Sequence, residues 1–270
     1  MLLLWREAHP TRPMRIDGKV VLITGASEGI GAACAAEFAA SGAKLALNAR
    51  NLEKLQASAP KDALLVPGDL TNDADRRSVV ERTLAHYGEI DILINNAGVG
   101  YYQASWEMPM DEVRYLMEVN FFAPLAMTQL VVPAMRTRRS GMIVNVGSIG
   151  GKVPLPWMPV YTMSKYAVGA MTDCQRVELK GSGIRTMVVC PGYVQTNFQK
   201  NVRYGQTPPR IQKARRFAIS AETCALAIRR GIEREARTVV TPRSGWLFVI
   251  AMRLFPSLVE SKMAEMNGTA

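Results

Sequence analysis

Apolar residues in this chain are gathered into short, nearly unbroken runs. "KVVLITGA" (19–26), "KLALNAR" (44–50), "ALLVPGDL" (63–70), "IDILINNAG" (90–98), "GMIVNVGS" (141–148) and "IRTMVVCPG" (184–192) each read as a strand, and "RTVVTP" (237–242) as a seventh. Between them lie longer segments of helical character. "IGAACAAEFAASG" is alanine-rich and stops at Gly42; "NLEKLQASA", "DADRRSVVERTLAHYG", the long "DEVRYLMEVNFFAPLAMTQLVVPAMRTR" and "YTMSKYAVGAMTDCQRVELKG" follow in turn. Glycine at a helix end supplies the left-handed residue that terminates it. Strands that are apolar throughout, without alternation, are buried on both faces, which requires a parallel sheet with helices on each side. The repeated strand–helix order therefore predicts an α/β, Rossmann-like, doubly wound parallel sheet of about seven strands.

No linker, repeat or low-complexity run divides the chain. One catalytic domain is expected over 14–270, after a loose N-terminal extension at 1–13. The irregular piece from Thr196 to Ser220, with Pro208 and Pro209, reads as an inserted substrate loop with a short helix. "MLLLWREAHPTRP" lacks the apolar length and small-residue cleavage site of a signal peptide.

Composition narrows the chemistry. With 270 residues, 48% of them hydrophobic and 21% charged, the chain can bury a core without disulfides or metal. Its four cysteines, Cys34, Cys174, Cys190 and Cys224, are far apart and read as reduced core residues of a cytoplasmic protein. The only histidines are His9 and His86, so neither a metal centre nor a Ser-His-Asp triad is expected. The net charge of +10 is mostly dispersed. Its local clusters, Arg136, Arg138 and Arg139, then Arg210, Lys213, Arg215 and Arg216, accompany no nucleic-acid motif and read as a solvated basic face.

The first strand runs into "TGASEGIGA", which places Gly25, Gly29 and Gly31 in a G-x-x-x-G-x-G turn, with Ser27, Glu28 and Ile30 between them. Such a turn exposes backbone N–H groups and aims a helix N-terminus at a pyrophosphate. A plain strand–turn–helix connection is the alternative. The second strand ends without an acid: Ala49 and Arg50 follow Asn48. A cation there suits the 2′-phosphate of NADP(H); otherwise Arg50 is the first solvated residue after the strand. In "YTMSK", Tyr161 and Lys165 are one helical turn apart and share a face. A lysine ammonium would favour the phenolate and bring a phenol of pKa near 10 toward neutrality. In isolation the same pair reads as a packing ring and a solvated amine.

Taken in order, "TGASEGIG", "NNAG", "NVGS", "YTMSK" and "CPG" resemble the short-chain dehydrogenase/reductases over roughly Asp17 to Val240. The resemblance implies NAD(P)-dependent oxidation of alcohols or reduction of carbonyls. It implies a catalytic tetrad of Asn120, Ser148, Tyr161 and Lys165. Tyr161 would be the general acid or base and Ser148 would stabilise the carbonyl oxygen. Lys165 would also bind the nicotinamide ribose, and Asn120 would hold a water on a proton path. The cofactor would lie against Gly25, Ser27, Glu28, Gly29, Ile30 and Gly31, with Asp69 and Leu70 near the adenine. Asn96, Ala97 and Gly98 would border the adenosine ribose, and Pro191, Gly192, Val194 and Thr196 the nicotinamide carboxamide. Asn120 alone could equally be a core amide and Asp69 a turn former.

The expected activity is NADP(H)-dependent hydride transfer with a carbonyl or secondary alcohol. Three variants are carried forward. In a 3-oxoacyl-carrier-protein reductase the arginines at 136–139 would dock an acidic carrier. An enzyme for hydrophobic alcohols or steroid-like substrates would use the apolar loop around Val153, Leu155, Trp157 and Met158. A non-catalytic dinucleotide sensor would show a broken tetrad. The apolar stretch Trp246–Val259 is too short to span a bilayer. It is expected to pack on this protein or on a second copy in a homodimer or homotetramer, with weak membrane-surface contact as the rival outcome.

Overall fold

The computed structural model describes residues 14–199, 202, 204–205 and 218–267. Its centre is a sheet of seven strands: β1 (Val20–Thr24), β2 (Lys44–Ala49), β3 (Leu64–Pro67), β4 (Ile92–Asn95), β5 (Gly141–Val146), β6 (Ile184–Pro191) and β7 (Thr238–Thr241). They lie in the order 3-2-1-4-5-6-7, and every neighbouring pair is parallel. The helices are α1 (Gly29–Ala40), α2 (Leu52–Ser58), α3 (Asp73–Tyr87), α4 (Met110–Met117), α5 (Ala123–Arg138), α6 (Pro159–Glu178), α7 (Ala221–Glu233), α8 (Gly245–Leu254) and α9 (Pro256–Asn267). All seven expected strands are present.

The unbroken apolar runs are explained by two cores, one on each face of the sheet. On one face Val21, Ile23, Ile92 and Ile94 meet Cys34 and Phe38 of α1 and Cys224, Ile228 and Ile232 of α7. On the other, Leu22, Leu93 and Ile143 meet Val79 and Val80 of α3 and Met127 and Val131 of α5. Successive strand residues point to opposite faces, so a strand serving both must be apolar at every position. Each fully buried aliphatic or aromatic side chain contributes roughly 1.5–3 kcal/mol.

Local signals set the helix ends. Asn51 and Asn72 cap α2 and α3 by accepting from Lys54 N and from Ala74 N and Asp75 N, and Gly88 closes α3 at φ 78°. Pro159 opens α6, two residues before the expected start at Tyr161. The long predicted helix is continuous from Met110 to Arg138, but a π-helical turn, Glu118–Phe122, interrupts its pitch. Although that helix is long and apolar enough to cross a membrane, it packs here against the sheet.

Two expectations need correcting. Cys174 is exposed on α6, whereas Cys34, Cys190 and Cys224 are buried. The segment Ala221–Glu233, for which no element was expected, is α7. The expected loop at 196–220 lies partly outside the described residues; residues 1–13 and the basic cluster at 210–216 lie wholly outside them. The described parts of the loop include a 3-10 turn, Asn197–Gln199, and a short pairing of Val194–Gln195 with Ile219–Ser220.

Candidate active site

The strand order reverses between β1 and β4. In open α/β sheets, ligands bind beyond the carboxyl ends of the strands at such a switch point. Here the turn after β1 carries Gly25 and the turn after β4 carries Asn96. The Asn96 side-chain amide donates to the carbonyls of Thr24 and Gly25 at 2.9 and 3.0 Å. The Thr24 hydroxyl accepts from the backbone N–H of Asn96 and Ala97. Gly25 must be glycine because it takes φ 64° and a Cβ would sit 2.8 Å from Ala97 Cα. Gly31 does not line the cleft. It lets α1 close against the turn, where a Cβ would collide with the Gly25 carbonyl oxygen. Its expected cofactor role is therefore indirect.

A cleft of about 670 Å3 opens above these turns. One end holds Arg50, Asp69 and Leu70, the middle Gly25, Ser27, Glu28, Gly29, Ile30, Asn96, Ala97 and Gly98, and the far end Ser148, Tyr161, Lys165, Pro191, Gly192, Val194 and Thr196. The structure thus brings together all the proposed cofactor contacts except Gly31, and three of the four catalytic candidates line the same space. Glu28 occupies the N-cap of α1 without capping it through its side chain, so the first-turn amides are presented toward the cleft. The glycine turn, the helix N-terminus and the volume of the cleft fit a nicotinamide dinucleotide. Asp69 serves its own turn as well, its Oδ1 accepting from Thr71 N and Thr71 Oγ1 at 2.9 Å each.

The catalytic candidates come from three elements. Ser148 follows β5, and its Oγ accepts from Gly150 N at 3.0 Å, which orients the hydroxyl. Tyr161 and Lys165 lie on one buried face of α6. Lys165 Nζ donates to the Val146 carbonyl at 3.0 Å and stands 5.7 Å from the centre of the Tyr161 ring. Asn120 sits in the π-helical turn, a place where such distortions often serve function. Its side chain pairs both ways with Val99, accepting from N at 2.8 Å and donating to O at 3.0 Å, and also donates to Ser164 Oγ at 3.1 Å. A methyl group placed on Gly98 would lie 3.3 Å from Asn120 Oδ1 and 3.5 Å from Lys165 Nζ. The two polar groups therefore both lie beside Gly98.

The model of the short chain dehydrogenases matches residues 19–207. The chain belongs to this family. It is 35% identical over 269 residues to dehydrogenase/reductase SDR family member 7B of Danio rerio, spanning 94% of this chain and 87% of that protein. It is 34% identical over 259 residues to the 11-beta-hydroxysteroid dehydrogenase-like 2 protein of Arabidopsis thaliana, spanning 91% and 80%. Among solved structures, a short-chain dehydrogenase/reductase from Burkholderia phymatum in complex with NAD superposes with a TM-score of 0.82 at 25% identity, covering 91% of this chain and 96% of that one. One from Burkholderia cenocepacia in complex with NADP gives 0.79 at 29% identity, covering 93% and 99%.

This short-chain dehydrogenase is an oxidoreductase that uses a nicotinamide dinucleotide. When bound, the cofactor supplies or accepts the hydride. The protein supplies the proton and the electrostatics. In reduction Tyr161 Oη would donate a proton to the substrate oxygen, while the Ser148 hydroxyl, held by Gly150 N, would stabilise the charge developing there.

The electrostatics correct one expectation. Lysine was expected to draw the Tyr161 phenol down. Burial instead pushes it up to about 12, only partly offset by hydrogen bonding with Ser148. Burial also lowers Lys165 to about 8. Both groups are taken out of water, and a dry site disfavours the charged form of each. Without cofactor, Tyr161 is therefore held as the neutral acid.

Several site residues had not been singled out from the sequence. Thr24 and Ser164 lie inside quoted motifs but had no assigned role. Tyr115 enters the cleft from α4, Phe198 from the 3-10 turn, Phe248 from α8 and Met263 from α9. No motif marks Tyr115, Phe198 or Met263; Phe248 belongs to the apolar stretch that was expected to pack, and it lines the cleft.

Proposed function

We propose that this oxidoreductase is an NADP(H)-dependent reductase of apolar ketones and aldehydes, able to oxidise the corresponding secondary alcohols. The observation that carries this reading is the wall beyond Tyr161. Leu155, Met158 and Phe198 pack in one apolar cluster with Tyr161, whose ring lies 5.8 Å from that of Phe198, and Phe248 and Met263 line the same cleft. Such a surface gains free energy by excluding water from an apolar substrate and offers little to a polar one. The preference for NADP(H) rests on Arg50 at the adenosine end, where β2 ends in Ala49 without an acid. The hydroxysteroid dehydrogenase name of the plant relative is in keeping with a bulky apolar substrate.

The acyl-carrier reading is less well supported. Arg138 donates to the Ile90 carbonyl at 2.8 Å and pairs with Glu89, and Arg139 donates to the Gly181 carbonyl. Both lie where α5 turns into the start of β5, at the amino-terminal end of the strands and opposite the cleft at their carboxyl ends.

A homo-oligomer is part of the proposal. Leu247, Ile250 and Leu254 are exposed at helical spacing on α8, and Phe255 after it and Leu258 on α9 are exposed as well, an apolar surface that a second copy would cover. A cytoplasmic location accords with such an assembly, whereas attachment of this surface to a membrane would oppose it.

The test is NADPH consumption across three panels: bulky apolar ketones, short polar carbonyls and acyl thioesters. The expected order of kcat/KM places the apolar ketones first, with NADPH preferred to NADH. Turnover confined to thioesters, or equal use of the two cofactors, would overturn the assignment.

A further inference from the structure

The adenosine end of the cleft contains a contact that the family motifs do not describe. Arg50 follows β2 and is exposed, so its long side chain would ordinarily sample many rotamers. Here its Nη1 donates to the phenolic oxygen of Tyr115 at 2.9 Å, across 65 positions of sequence. Tyr115 lies near the end of α4 and lines the same cleft.

Tyr115 is itself well anchored. Three residues on, Glu118 accepts from Arg76 Nη1 at 2.8 Å, and the same Nη1 donates to the Leu70 carbonyl at 3.0 Å. Residues three apart share a helix face. One turn of helix is thus tied to the loop that carries Asp69 and Leu70, and from that fixed turn Tyr115 reaches Arg50. The Arg50 guanidinium has five N–H donors in a planar fork. One bond to a phenol leaves the rest of the fork for a second acceptor.

We propose that Tyr115 is a specificity-determining positioning residue, holding the Arg50 guanidinium over the adenosine end so that it is preorganised for a ribose 2′-phosphate. This rests on the NADP(H) reading above and deepens it. A preorganised fork binds phosphate oxygens without first losing rotamer freedom, and the gain falls only on a cofactor that carries the phosphate. Tyr115 acts through Arg50, so its removal changes discrimination and leaves the hydride-transfer machinery in place.

The experiment is a fluorescence titration of NADPH and NADH against four full-length proteins: wild type, Arg50→Ala, Tyr115→Phe and the double variant. The phenylalanine keeps the ring and its packing. Tyr115→Phe is expected to weaken NADPH about three- to tenfold and leave NADH unchanged. In the Arg50→Ala background the same substitution is expected to change neither cofactor. Three outcomes would overturn the inference: equal weakening of both cofactors by Tyr115→Phe, no weakening of NADPH, or a persisting effect when Arg50 is absent. A fourth outcome separates the two claims. If Arg50→Ala leaves NADPH binding intact, the cofactor preference itself fails and Tyr115 loses its proposed role with it.

Discussion

The Lys165 ammonium lies 5.7 Å from the centre of the Tyr161 ring, yet its hydrogen bond goes to the Val146 carbonyl oxygen. Lysine and tyrosine share a dry compartment without direct proton contact. Burial dominates both, raising the phenol and lowering the amine. The pair is set to change its balance when charge or water enters the site.

Replacing Tyr161 by phenylalanine removes the acid and leaves the fold intact. Steady-state turnover on a confirmed ketone should fall about 10²- to 10⁴-fold. The cofactor dissociation constant should stay nearly unchanged, because the phenol is needed in the transition state more than in the ground state. Retention of a tenth of wild-type turnover would remove Tyr161 from the acid–base role.

Lys165 makes stability depend on pH in a defined direction. Its folded value of about 8 lies below the ordinary 10.5. Below pH 8 the folded protein carries a buried charge that the unfolded chain would hydrate, which subtracts stability. As pH rises from about 8 to 10.5 the unfolded chain binds the additional proton, and stability recovers. Lys165→Met without cofactor should therefore be more stable than wild type at pH 7, by on the order of 1–3 kcal/mol, with the gap closing toward pH 10. Urea midpoints at several pH values test this; a gap that widens with pH would contradict it. The measurement should stop near pH 10, because Tyr161, raised to about 12, then contributes a loss of stability between 10 and 12.

Arg50→Asp places an acid where the cation stands. It should reverse the preference from NADPH to NADH, by hydrogen-bonding the ribose hydroxyls and repelling a 2′-phosphate. Competitive titration of both cofactors on the variant gives the answer, and an unchanged ratio would discard the assignment.

Gly31→Ala should damage cofactor binding from behind. The new methyl group would press on the Gly25 carbonyl and on Asn96 Nδ2, 2.6 Å away, so the glycine turn must shift. Affinity for both NADPH and NADH is expected to fall by at least about tenfold, equivalent to ~1.4 kcal/mol. Isothermal titration checks this, with circular dichroism to confirm a folded chain.

The apolar surface on α8 and α9 can be tested without truncating the chain. Truncation after Gly245 would also remove Phe248 and Met263 from the cleft wall. Leu247→Asp with Leu254→Asp alters two exposed positions instead. If a second copy covers the surface, light scattering should show a smaller particle that remains soluble. An unchanged mass, together with lost binding to anionic vesicles, would favour membrane attachment.

Much of this molecule was legible in its sequence. β1, β4 and β5 are apolar at nearly every position because both faces of the sheet are covered, and that demand is written residue by residue. Asn51, Asn72 and Gly88 end their helices through bonds and dihedrals spanning a few positions, so local reading finds them. α7 was also readable: Ser220 caps it, and Cys224, Ala225, Ile228 and Ile232 mark its buried stripe.

The sequence by itself determined the strand–helix order, the glycine turn, and the spacing that puts Tyr161 and Lys165 on one helix face. These depend on near neighbours and on periodicities that any segment carries alone. Only the tertiary structure decided that Tyr115 meets Arg50, that Met263 joins Phe248 in the cleft lining, that Asn120 serves Val99 from a π-helical turn, and that burial raises the Tyr161 phenol. Each depends on groups from separate elements sharing one space, and on how much water remains there. Neither quantity is a property of a short stretch of chain; both are set when the helices pack on the sheet.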